Sequence, residues 1–118
     1  MLAGLEILVF DIADIGVRFY TYTTTMALCL RAAAEAGLRF VVLDRPNPIT
    51  GNRVEGPVLD EPFKLLSAWH PVALRHWMTV GELALLSNTE YCLQADLDVL
   101  GCHGWDRGMW FDETGLPW

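Results

Sequence analysis

The chain has 118 residues, 53% of them apolar, and 15 acidic side chains against eight basic ones give a net charge of −7. That length fits one domain with enough apolar material for a core. The acidic balance excludes a general nucleic-acid binder, which needs a basic face for the phosphate backbone, and no apolar run reaches the length of a membrane span.

Residues 5–10 (LEILVF) form a short apolar run bounded by turn residues, which predicts a strand buried on both faces. The segment 11–16 (DIADIG) ends it. Residues 23–36 (TTTMALCLRAAAEA) are rich in helix formers, with Met26, Leu30, Ala33 and Ala34 near one face and Gly37 at the C-terminal cap position. Residues 40–43 read as the next strand. Strand, loop, helix and strand within about forty residues make a βαβ unit, so an α/β fold with an open parallel sheet, flanking helices and a right-handed crossover is expected.

Residues 44–57 (DRPNPITGNRVEGP) then leave the second strand as a charged, proline-rich loop. Residues 63–70 fit either a short helix or an irregular cover. Thr79 and Glu82 have the spacing of a capping box, opening a helix that runs to about Ser87 or Tyr91. Residues 95–102 (ADLDVLGC) alternate well enough for a third strand. Cys29, Cys92 and Cys102 make neither a disulfide framework nor a zinc knuckle and read as buried free thiols. No leader peptide is expected from the opening residues, and the compartment is left open.

Ligands of open parallel sheets bind outside the carboxyl ends of the strands. Asp11 and Asp44 stand at such ends, with the two loops that follow them. Pro46 and Pro48 fix φ and keep Arg45 and Asn47 out of helix, so the second loop is stiff as well as polar. A cleft wall and a plain connector both suit that composition. Arg18, Tyr20 and Tyr22 alternate on an extended segment and can share one face. One guanidinium and two phenols suit a sugar or a carboxylate; core packing for the tyrosines, and an ion pair from Arg18 to Asp11, Asp14 or Glu55, are the structural alternatives. His76 stands before the capping box as either a supporting or a catalytic residue. His70 and His103 lack ligand spacing, so no metal site is expected. No glycine-rich dinucleotide or phosphate loop is present, so no nucleotide cofactor is expected. The tryptophans Trp69, Trp77, Trp105, Trp110 and Trp118 either line a sugar site or fill the core.

Four phrases carry a resemblance: DIADIGVRFYTYTTTMALCLRAAAEAG, FVVLDRPNPITGNRVEGP, RHWMTVGELALL and GWDRGMWFDETGLPW. In that order, over almost the whole chain, they resemble the signature phrases of the exo-β-N-acetylmuramidase family typified by NamZ. The resemblance implies a Rossmann-like α/β domain with the active site in its cleft, followed by a smaller carboxy-terminal domain. It implies hydrolysis of terminal β-linked N-acetylmuramic acid from bacterial peptidoglycan fragments, a small saccharide substrate and no cofactor. It also implies that residues 1–118 are part of the catalytic domain. An upstream segment, whose PEHG phrase carries a catalytic glutamate, and the second domain are then expected to lie outside them. Two positions depart from the family pattern: Ala13 stands where a glutamine is usual, and Trp77 where a glycine is common.

Glycoside hydrolysis ordinarily needs two carboxyl groups. Glu55, in the VEGP phrase, is the leading candidate, with Asp44 and Asp14 as alternatives. Arg18 suits the lactyl carboxylate of muramic acid, Tyr20 or Tyr22 the sugar hydroxyls, and Asn47 the acetamido group, with His76 as a further binding candidate. Arg18, one of the two tyrosines, Asp44 and Glu55 are expected to converge on one cleft. A non-catalytic saccharide- or anion-binding module, or an inactive fragment, is the alternative reading.

Overall fold

The computed structural model describes residues 2–117. Its first strand, β1, is Ile7–Phe10, and the second, β2, is Arg39–Leu43. They pair in parallel, Ile7 opposite Arg39 and Phe10 opposite Val42. Helix α1, Thr21–Glu35, makes the crossover between them. It buries Met26, Ala27, Leu30 and Ala33, the three-to-four-residue spacing of one helix face. The helix closes as the sequence predicts, with the Leu38 amide donating to the Ala33 carbonyl at 2.9 Å across a left-handed Gly37.

Helix α2, Val80–Glu90, opens with the expected capping box: the Glu82 amide donates to Thr79 Oγ1, and the Thr79 amide to Glu82 Oε2. The last strand before the chain's end, Leu97–Leu100, pairs in parallel with the far side of β2, so the sheet order is β1, β2 and then this strand. Winding in one direction puts right-handed crossovers on one face. Accordingly α1 and α2 pack against each other and against the same side of the sheet. Phe10, Phe40, Val42, Met26, Leu30 and Leu83 meet there as the core. The opposite face corrects the expectation of a strand buried on both sides. Val9 is 54% and Leu100 58% exposed, because both described helices lie on the other side.

A two-stranded antiparallel ribbon was not legible in the sequence. It joins Glu55–Val58 to Ala73–Arg75, with Glu55 opposite Arg75 and Val58 opposite Ala73. In chain order these two strands are β3 and β4, and Leu97–Leu100 is β5. Residues 63–70 form an irregular cover rather than a helix: a 3-10 turn at Glu61–Phe63 is followed by a bridge between Leu65 and Ala68. The thiols are free, but Cys92 is exposed and Cys29 and Cys102 are half-buried rather than buried. Burial and the nearby Asp44 push the Cys102 thiol up to about 11, so it stays neutral. No described helix is long and apolar enough to cross a membrane.

His70 ties the two helices together. Its Nε2 lies 3.1 Å from the Thr23 carbonyl and Nδ1 3.4 Å from Ser87 Oγ. A carbonyl only accepts, so Nε2 carries the proton. Burial lowers the His70 pKa from its ordinary 6.5, partly offset by the Thr23 carbonyl. The unfolded chain therefore takes up the proton first as pH falls. The contribution is complete above about 6.5 and is lost as pH drops through the lower folded value. Urea midpoints should fall across the mildly acidic range, and His70→Gln should flatten that slope. An equally steep slope in the variant would assign the sensitivity to another group.

Candidate active site

The loops after β1 and β2 emerge at the same edge, since the strands are parallel and in register there. Asp14, on the first, is buried. Its Oδ2 accepts from the Gly16 amide at 2.9 Å, and His76 Nε2 lies 3.2 Å from the same oxygen. That contact is off the line of a hydrogen bond. Among the described residues, Asp14 Oδ1 and both His76 ring nitrogens are buried without a hydrogen-bond partner. Burying an unpaired polar atom costs free energy, so Asp14 is a carboxylate held for something other than its own packing.

The second loop is held as stiffly as its prolines imply. Asn47, buried, donates Nδ2 to the His76 and Met78 carbonyls at 3.1 and 3.0 Å, and its Oδ1 accepts from the Ile49 amide. Arg45 donates from Nε to Asp11 Oδ1 at 3.0 Å, joining the two loops. The tail closes over them. The Gly51 amide donates to the Arg107 carbonyl at 2.7 Å and the Phe111 amide to the Pro48 carbonyl at 3.1 Å. Between loops and tail, Ala13, Asp14, Arg45, Pro46, Phe111, Leu116 and Pro117 line a cleft of about 410 Å³.

The structure brings Asp14, Asn47 and His76 together and holds the other candidates elsewhere. Asp44 accepts from Thr79 Oγ1 and the Gly81 amide, both at 2.8 Å, and so completes the N-terminus of α2. Arg18 donates Nη1 to the Pro57 and Val72 carbonyls at 2.8 and 2.6 Å, across the β3–β4 ribbon. Glu55 stands on that ribbon, exposed, 2.7 Å from Arg75 Nη1. The hydrogen bond and charge of Arg75 lower its pKa. Tyr20 and Tyr22 meet edge to face, 5.0 Å between ring centres, at the start of α1. None of these five lines the cleft, and of Asp14, Asn47 and His76, Asp14 alone does.

Sequence reasoning passed over Arg45, Phe111, Leu116 and Pro117. Arg45 stood in a loop already singled out, and its position at the strand edge was the available signal. The tail residues carried none, because only the fold of residues 105–117 returns them to the cleft. The resulting cavity joins an apolar wall to a carboxylate and a guanidinium, a lining suited to a small polar molecule with one apolar face. Among the described residues, no group of three or more His, Cys, Asp or Glu is placed to hold a metal.

The family model described as exo-beta-N-acetylmuramidase NamZ, N-terminal, matches residues 1–118. Peptidoglycan beta-N-acetylmuramidase NamZ of Bacillus subtilis (strain 168) is 50% identical over 117 residues, covering 99% of this chain and 28% of that protein. Two crystal structures of DUF1343 family proteins from Bacteroides fragilis NCTC 9343 share the fold. One has a TM-score of 0.94 at 42% identity, covering 100% of this chain and 31% of its own. The other has a TM-score of 0.81 at 40% identity, covering 88% and 30%. The chain thus spans less than a third of the length of each relative.

Proposed function

We propose, because the chain belongs to the exo-β-N-acetylmuramidase NamZ family through its N-terminal domain, that it serves the hydrolysis of terminal β-linked N-acetylmuramic acid from peptidoglycan fragments. The observation that carries the reading is Asp14, a buried carboxylate of the cleft lining with one oxygen anchored by the Gly16 amide and the other, also buried, without a hydrogen-bond partner. In the proposed reaction Asp14 is one of the two carboxyl groups that glycoside hydrolysis uses, as proton donor, base or nucleophile. His76 positions it, and Asn47 fixes the loop above both. Arg45 faces the lactyl carboxylate, for which its planar fork is suited. Phe111 offers the apolar wall for the sugar ring. The second carboxyl group comes from outside these residues, where the resemblance puts the glutamate of the PEHG phrase.

One observation favours a second reading, a saccharide-binding module without turnover. Among the described residues Asp14 is the one carboxylate lining the cleft, and the chemistry needs a pair. Calorimetry with two sugars addresses what both readings share. N-acetylmuramic acid and N-acetylglucosamine differ by the lactyl group, so the first should bind about tenfold or more tightly through one charged contact. Arg45→Gln should remove that preference. Equal affinities in the unsubstituted chain would refute the assigned sugar. Release of N-acetylmuramic acid from a β-linked disaccharide, assayed in a longer chain that also carries the upstream carboxyl group, then separates the enzyme from the module.

A further inference from the structure

A second hollow, of about 400 Å³, shares no lining residue with the cleft and lies on the helix layer, between Ala27 and Arg31 of α1, Lys64, Trp69, Tyr91 and Leu93. Its cations are held in an unusual way. Lys64 Nζ lies 4.8 Å from the ring centre of Trp69 and 4.7 Å from that of Tyr91. The Arg31 guanidinium is 5.8 Å over the same indole. The Tyr91 hydroxyl donates to the Trp69 carbonyl at 3.3 Å, which fixes the two aromatics relative to each other. A π face attracts a cation but does not cancel its charge. The one acidic partner of Lys64 among the described residues is Glu61, at 3.5 Å and 80% exposed, so water and salt screen it. Arg31 has no ion pair among them. Two like charges therefore share one indole in a chain whose net charge is −7. An anion placed between them relieves their repulsion.

We propose that this hollow binds a small carboxylate with an apolar body, the chemistry of a short peptide's C-terminus. The carboxylate sits between Arg31 and Lys64, and the apolar part lies on Ala27, Leu28 and Leu93. Lys64 over both rings and Arg31 over the indole already use ring surface on which a base would stack, which argues against an aromatic or nucleotide ligand. The site does not depend on the glycosidase reading.

The test is calorimetry on the whole chain with N-acetyl-alanyl-alanine, its C-terminal amide and inorganic phosphate. The free acid is expected to bind and the amide to lose at least about tenfold in affinity, the loss that removing one charged hydrogen bond produces. Arg31→Gln, on the exposed face of α1, should weaken the acid by a similar factor without disturbing the fold. Lys64→Gln should do the same, and thermal unfolding shows whether it also loosens the rings. Equal binding of acid and amide would overturn the proposal. So would no binding of the acid, or binding that Arg31→Gln leaves unchanged. Phosphate as tight as the peptide acid would reduce the hollow to a bare anion patch and overturn the peptide class.

Discussion

On the proposed reading, Asp14→Asn in a longer chain that also carries the upstream carboxyl group is expected to lower release of N-acetylmuramic acid by about 10²–10⁴-fold, the share that a general acid or base contributes, while leaving the fold intact. Asparagine keeps the shape of the side chain, and its carbonyl oxygen still accepts from the Gly16 amide. What it loses is the capacity to ionise or carry a proton at a residue that lines the cleft. Two other variants in the same assay make the result discriminating. Glu55→Gln should leave turnover within a few-fold, because Glu55 is exposed and held ionised by Arg75. Asp44→Asn should act on stability, by about 1 kcal/mol, through the start of α2. Near-normal turnover in Asp14→Asn, or a collapse of turnover in Glu55→Gln, would move the carboxylate role to the ribbon.

Gly16→Ala is expected to be strongly destabilising. The backbone at Gly16 has φ +80, where a side chain costs about 1–2 kcal/mol. An added Cβ would also lie 2.5 Å from Ile49 Cγ1 and 2.6 Å from Asn47 Oδ1. Overpacking of that kind costs a further ~1–3 kcal/mol. A combined loss of about 2–5 kcal/mol would lower the melting temperature by roughly 10–25 °C for a domain near this size. Gly37→Ala is the control. It has φ +66 but nothing within 4 Å of the new Cβ, so it should show the conformational cost alone. Equal melting temperatures for the two variants would mean that the loop yields, and that Asn47 does not lock it.

The helical half of the fold was legible because local chemistry decides it. Thr79 and Glu82 satisfy each other's backbone partners within one turn, and Gly37 supplies the left-handed residue that ends α1. The parallel pairing of β1 with β2 followed from the length of the crossover. The β3–β4 ribbon was hidden, because every residue of Glu55–Val58 is exposed and two of them are glycine and proline. It forms by tertiary support: Arg18 donates to carbonyls of residues on both sides of it. The same fact explains why Arg18 looked like a ligand contact. Alternation can show that three polar side chains share a face, but not that backbone carbonyls are waiting there. Asp14 was legible as a residue of the strand edge, whereas its pairing with His76 depends on a contact 62 positions away in sequence, which no local pattern encodes. The wall formed by Phe111, Leu116 and Pro117 is similarly non-local.

The uncovered face of the three-stranded sheet has a consequence for how this chain behaves in solution. Ile7, Val9 and Leu100 form an apolar surface there, relieved mainly by the exposed Arg39–Asp98 pair, and among the described residues β1 and β5 each leave an unpaired edge beside it. Surfaces of this type attract their own copies. At neutral pH the charge of −7 keeps molecules apart. That repulsion fades towards the isoelectric point of about 4.7, and added salt screens it at any pH. For residues 2–117 by themselves, the separation of copies is therefore electrostatic, and dilute buffer well above the isoelectric point favours it.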